Sequence, residues 1–183
     1  MFRFNDANVY WSLHVLSSGK CMGRKRLAQE VGVGEGSMRR IIDTLKEWEF
    51  ILIKQTGITI TRAGMEFLKQ MPIRPMEITV PDIVVGKYQQ SVLVLGVANK
   101  VKNGMEQRDV GVKMGAQGCT TIVIRDGALM MPPDWNLDEK SPEVAAMIRK
   151  ETSITPDDVL IIGGAEDKCN AVEAAVSAAL ELF

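Results

Sequence analysis

The feature that most constrains this chain is an uneven spread of charge about one short, proline-marked segment, Met71-Pro72-Ile73-Arg74-Pro75. Residues 1–74 hold 12 Lys and Arg against 7 Asp and Glu, whereas residues 75–183 hold 10 against 16. A formal charge of −1 therefore conceals a basic module joined to an acidic one. Each proline disfavours helix in the residue before it, which makes the segment a boundary between a domain at residues 1–72 and another at 76–183.

Composition closes off several classes. With 46% hydrophobic and 25% charged residues, the chain is globular in character, neither disordered nor collagen-like. The longest nearly apolar stretch, Val92 to Ala98, is roughly a third of a membrane span. No basic segment followed by an apolar one opens the sequence, so a cytoplasmic protein without membrane contact is expected. Cys21, Cys119 and Cys169 form an odd set without a CxxC pair, which makes reduced thiols the default. His14 is the single histidine, so His-rich metal centres drop out and a Ser-His-Asp or Cys-His mechanism would have to run through that one imidazole. Neither a Walker-type phosphate loop nor GxGxxG occurs. No metal, cofactor or enzymatic activity is expected.

In the basic module, Val9, Leu13 and Leu16 recur at helical spacing within Asp6 to Ser17, and a second helix is predicted from Arg24 to Val31. After the turn Gly32-Val33-Gly34, the residues Met38, Ile41, Ile42 and Leu45 form the buried stripe of a third helix. Past Trp48 the period changes to alternation: Ile51 and Ile53, then Gln55-Thr56-Gly57, then Ile58 and Ile60, which is a hairpin. Thr61 caps a last helix reaching about Lys69. Helices followed by a β-hairpin make a winged helix-turn-helix.

The run Arg26-Leu27-Ala28-Gln29-Glu30-Val31-Gly32-Val33-Gly34-Glu35-Gly36-Ser37-Met38-Arg39-Arg40-Ile41-Ile42 resembles the winged-helix domains of prokaryotic transcription regulators. That resemblance implies a third helix entering the major groove of double-stranded DNA. Opposite its apolar stripe stand Ser37, Arg39, Arg40, Asp43, Thr44 and Lys46. Arginine reads guanine through a bidentate pair, and lysine or a hydroxyl holds phosphate. Arg24, Lys25 and Arg26 at the start of the second helix, with Lys54 and Arg62 flanking the wing, complete the predicted DNA-binding set. Asp43 and the small basic excess predict modest affinity per protomer, which a homodimer would offset. The same face also suits a winged helix that contacts protein.

In the acidic module, Met76 to Val85 alternates loosely and predicts a strand, and Ser91 to Ala98 reads as a strand buried on both faces. A helix follows from Met105 to Ala116, then a hairpin of Cys119–Arg125 and Ala128–Met131 turning at Asp126-Gly127. Ser141-Pro142-Glu143 opens another helix, Val159 to Ile162 is a second buried strand ended by Gly163-Gly164, and Ala165 to Leu182 is a last helix. From Ser91 onward the order β, α, β, β, α, β, α predicts a small mixed-sheet α/β domain with helices packed on it, and an α+β class for the whole chain.

Two places in this module suit an effector. Asn99, Lys100, Lys102, Asn103, Glu106, Gln107, Arg108 and Asp109 follow directly on a buried strand, a location that ligands of α/β sheets favour. The alternative is an ordinary helix start with Asn103 as cap and Glu106 completing a capping box. The second place is Gly163, Gly164, Glu166 and Asp167, a strand end and helix start whose bare amides suit an anion. Its two carboxylates repel phosphate, which leaves hydroxyl or amine recognition, or a structural turn. In the last helix, Ala171, Ala174, Ala175, Ala178 and Ala179 make a small-residue face fit for the core or for a dimer.

Nearly the whole chain resembles an archaeal family of predicted winged-helix transcription regulators whose C-terminal domain has no assigned function. The blocks that carry it are Asn103-Gly104-Met105-Glu106-Gln107-Arg108-Asp109, Gly115-Ala116-Gln117-Gly118-Cys119-Thr120-Thr121 and Ile161-Ile162-Gly163-Gly164-Ala165-Glu166-Asp167. The resemblance implies an architecture and brings no ligand or catalytic residue. The expected function is a DNA-binding regulator whose C-terminal domain senses a small molecule, mediates dimerisation, or both. The alternatives are a small enzyme or metabolite-binding protein using Lys100, Lys102, Glu106, Arg108 and Asp109, with the winged helix only an interaction module, and a winged helix that binds RNA or protein.

Overall fold

The computed structural model describes residues 4–183. It divides into two units, 1–71 and 72–183. The first begins with α1 (Asp6–Leu16), where Asn5 and Asn8 exchange side-chain-to-backbone hydrogen bonds of 3.1 and 3.0 Å in a capping box. In α2 (Arg24–Val31), Leu27, Ala28 and Val31 turn inward, and Gly32 ends the helix in the left-handed region at φ +78°. After this turn, α3 (Glu35–Glu47) buries Met38, Ile41, Ile42 and Leu45. Strands β1 (Ile51–Lys54) and β2 (Gly57–Ile60) pair antiparallel as the wing, and Met22 bridges Ile58 with backbone bonds of 3.0 and 2.9 Å. Thr61 caps α4 (Arg62–Gln70) by accepting the Gly64 amide at 3.1 Å. Leu13, Leu16, Leu27, Ile41, Leu45, Ile51 and Ile58 belong to one core, so three helices and the wing are held by the same apolar cluster.

The second unit starts earlier than the prolines suggest. Ile73–Met76 is β3, an edge strand paired with β4 (Tyr88–Val94), and Pro75 is tolerated because an edge strand can spare an amide. The strand expected across residues 76–85 ends at Met76, and the chain then crosses the sheet without regular structure. A 3-10 turn at Ala98–Lys100 leads to α5 (Met105–Lys113), then β5 (Gly118–Arg125) and β6 (Ala128–Met131). Asp126 and Gly127 turn that hairpin at φ +50° and +82°, the left-handed pair a tight hairpin requires. Two short elements that the sequence reading did not include follow, β7 (Trp135–Asn136) and α6 (Leu137–Lys140), the latter capped by the Asn136 side chain, which accepts the Asp138 and Glu139 amides. The unit closes with α7 (Pro142–Thr152), β8 (Val159–Ala165) and α8 (Lys168–Leu180).

The α+β class stands, and the six strands lie in the order β3-β4-β8-β5-β6-β7. Every pairing is antiparallel where a mixed sheet was expected. β4 and β5 do run parallel to each other across the α5 crossover, but β8 inserts between them with the opposite sense. The continuous apolar runs come from cover on both faces. Leu93, Ile122, Leu160 and Ile162 pack under Val80, Ala145 and Ile148, while α5 and α8 lie against the opposite face. The alanine face of α8 is used there: Ala171, Ala174, Ala175, Ala178 and Ala179 are fully buried within this unit.

Candidate DNA-binding face and ligand cavity

A helix turns 100° per residue, so the Met38/Ile41/Ile42/Leu45 stripe leaves Gly36, Arg40, Asp43 and Glu47 on the face opposite, with Arg39 and Lys46 together on one flank. Arg39, Arg40 and Lys46 are exposed, and Thr44 is half-buried. Ser37 departs from the expectation: it is only 7% exposed, because it lies about 40° around the helix from Ile41 and shares the buried side. It cannot reach a phosphate from there.

The other predicted DNA contacts are exposed, and three carry carboxylate partners. Arg24 reaches Glu35 at 3.9 Å, Arg26 reaches Glu30 at 3.9 Å, and Arg62 reaches Glu66 at 2.8 Å. Such exposed pairs are worth about 0–1 kcal/mol, so a nucleic-acid phosphate competes readily for the guanidinium. Lys25 stands in the first turn of α2, and Lys54 ends β1 beside the hairpin turn. Charge pattern did not mark the apolar part of this unit's surface: Trp48, Leu52 and Ile53 are each half exposed.

In the C-terminal unit, a cavity of about 430 Å³ opens at the head of α5. Its walls are Asn103, Gly104, Met105 and Arg108 from α5 and the residues before it, Cys119, Thr120 and Thr121 from β5, Ile83 from the crossing segment, Met131 at the end of β6, and Pro132 and Pro133 after it. The cavity exists because the β5–β6 ladder stops. Its last paired residues are Val123 and Met130, and the same register continued would set Pro132 opposite Thr121 and Pro133 opposite Thr120. Proline has no amide to donate, so β6 turns away and the edge of β5 is left open. Cys119 is buried, which pushes its thiol up to about 12, and at neutral pH it stays protonated and unreactive.

Of the predicted effector residues, the structure brings Asn103 and Arg108 to this cavity and disperses the rest. Asn103 caps by accepting the Met105 amide at 3.0 Å, with Gly104 at the cap position itself at φ +73°. Lys102 and Glu106 pair at 3.8 Å outside the lining, and Asp109 holds Arg108 at 2.9 Å. Lys100 donates to the Leu182 carbonyl at 2.6 Å and stands 5.3 Å from the Phe183 ring, so it fastens the C-terminal end of the chain. Gln107 is buried, and Asn99 is exposed on the 3-10 turn.

The second predicted place is taken up by packing. Gly163 and Gly164 lie within β8 and do not end it. A Cβ on Gly163 would stand 2.9 Å from the Ala175 nitrogen of α8, and one on Gly164 would stand 3.0 Å from a methyl of Val84 on the other face. The diglycine therefore lets backbone approach the sheet from both sides. Asp167 caps α8 by accepting the Asn170 amide at 2.9 Å, and Glu166 is exposed beside it. The cavity residues that charge and polarity did not mark are Thr120, Thr121 and the apolar walls. Thr121 did carry a faint signal, as a hydroxyl at an inward position of an apolar strand.

Among the described residues no helix is long and apolar enough to cross a membrane. Residues 8–73 match the family model of the CggR N-terminal DNA binding domain. Residues 85–182, over half of the chain, match that of a domain of unknown function, DUF4443. The hypothetical protein PH0730 from Pyrococcus horikoshii OT3 is similar in fold, with a TM-score of 0.78 over 98% of this chain and 93% of that one. Sequence identity between the two is 24%, so that likeness speaks to fold alone. No curated protein gives a significant match. The chain belongs to the DUF4443 family, and it carries that domain behind an N-terminal domain of the DNA-binding, helix-turn-helix type.

Proposed function

We propose that this protein is a cytoplasmic transcription regulator that docks α3 of its winged helix in the major groove as a homodimer, while its C-terminal unit binds a small-molecule effector. The observation that carries the reading is the face of α3. Its apolar stripe is wholly consumed by the core, and Arg39, Arg40 and Lys46 stand exposed on the remaining surface, in a region that matches a DNA-binding family. Lys25 and Lys54 supply further exposed cations on α2 and the wing for phosphate contact.

The C-terminal unit is read as a binding module, not an enzyme. Its cavity falls in the size range of small-ligand sites. Of the five residues an enzymatic reading relied on, only Arg108 lines it, and Lys100 is engaged by the C-terminal backbone. Regulation then requires that the effector bind the DNA-competent and incompetent states with different affinity. Selection of genomic fragments by the purified full-length protein tests the reading. An enriched sequence motif with two related half-sites supports a dimeric regulator, and recovery of unselected fragments counts against sequence-specific binding.

A further inference from the structure

We infer that the cavity at the head of α5 seats an oxyanion, the phosphate or carboxylate end of a small effector, with Thr121, Arg108 and the first amides of α5 as its ligands. The inference deepens the effector-binding reading above and rests on it. Thr121 is 5% exposed, lines the cavity, and its hydroxyl has no hydrogen-bond partner. Buried hydroxyls are almost always paired, so an orphan marks a place where a partner is missing. The hydroxyl lies beneath the helix cap, since a Cβ built on Gly104 would stand 3.6 Å from it.

The helix end supplies matching donors. Gly104 brings no side chain to the cap, and Asn103 accepts only the Met105 amide, at 3.0 Å. The amides of Glu106 and Gln107 have no acceptor within the helix and sit at its positive end. Arg108 is the one charged side chain on the lining among the described residues. Its partner Asp109 is half exposed, so an incoming oxyanion displaces it without stranding a buried charge. Glu106, the acid in the first turn of α5, is paired with Lys102 and is not part of the lining. Met105, Met131, Ile83 and Pro132 wall the remainder, which suits a ligand with a short apolar or flat body behind its anionic end.

The full-length protein, titrated with inorganic phosphate and separately with acetate, tests this through amide proton–nitrogen NMR spectra. Saturable shifts confined to Gly104–Arg108 and Thr121 are expected, and the probe that saturates at lower concentration identifies the phosphate or the carboxylate source. Thr121→Val removes a buried hydroxyl that has no partner, so it keeps or raises the melting temperature while weakening the anion at least about tenfold. Arg108→Gln weakens it similarly, whereas Lys113→Gln, at the far end of α5, leaves it unchanged. The site is overturned if neither anion moves these amides, or if the Thr121 and Arg108 variants bind like the wild type. Duplex DNA titrated into the same samples separates the two readings. DNA binding without anion binding sinks the site and leaves the regulator. Anion binding without duplex affinity supports the site and removes the regulator.

Discussion

Asp138 joins three parts of the C-terminal unit through one carboxylate. It accepts the Leu129 amide of β6 at 2.7 Å and a two-pronged contact from Arg149 of α7, one prong at 2.9 Å, while Arg149 also donates to the Gly127 carbonyl at 3.0 Å. The Arg149 hydrogen bond, and then the Leu129 amide, hold the Asp138 carboxyl below the usual carboxylate range. A carboxyl depressed in the folded state stabilises above its unfolded pKa of about 4 and loses that contribution as pH falls through the folded value. Asp138→Asn is therefore expected to lower stability at neutral pH by about 1 kcal/mol, a figure discounted because the pair is partly exposed. Its urea midpoint will also fall less than the wild type's on acidification below pH 4. A second residue-scale test is Gly163→Ala. With the Ala175 nitrogen 2.9 Å from the new methyl, the substitution is expected to cost about 2 kcal/mol in urea unfolding, and an unchanged midpoint would refute the packing role. Residue roles of this kind were poorly legible in the sequence. Gly163 looked like a strand end because its neighbours in α8 are set by tertiary packing. Lys100 looked like a ligand because its acceptor, Leu182, is 82 residues away.

Elements read well where their signals are local. The α2 bounds, the Thr61 cap and the Asp126-Gly127 turn follow from residues within one or two turns of chain, and the structure has each of them. The chain at 73–85 read badly because a pairing between distant segments decides it: β3 becomes a strand only when β4 lies beside it, and the crossing segment is ordered by the sheet beneath it. The cavity was half legible. Polarity marked Asn103 and Arg108, but the open edge of β5 depends on prolines whose register is invisible until the hairpin is built. At this scale α3 makes the sharpest prediction. Arg39→Ala and Lys46→Ala each remove one exposed cation from a helix whose core side is untouched, so the circular dichroism spectrum should not change. The Lys46 change is expected to lower the salt slope of DNA binding by about 1, as loss of a phosphate contact does, and the Arg39 change to narrow the gap between enriched and scrambled duplexes.

At the scale of the molecule, a basic unit and an acidic unit each have a core of their own, and the boundary falls at Met71 and Pro72. Residues 72–183 expressed alone are expected to unfold in a single cooperative transition, read by thermal denaturation, because the six-stranded sheet and its cover are complete without the first unit. A broad, uncooperative melt would contradict this. Fluorescence anisotropy of the full-length protein on an enriched and a scrambled duplex, at two salt concentrations, decides whether the winged helix reads duplex DNA through α3. Tighter binding to the enriched duplex is expected, weakening on both as salt rises, with loss of that preference in the Arg39→Ala/Arg40→Ala double variant while folding stays intact. Equal affinity for the two duplexes, or a double variant that binds as the wild type does, would contradict readout through α3.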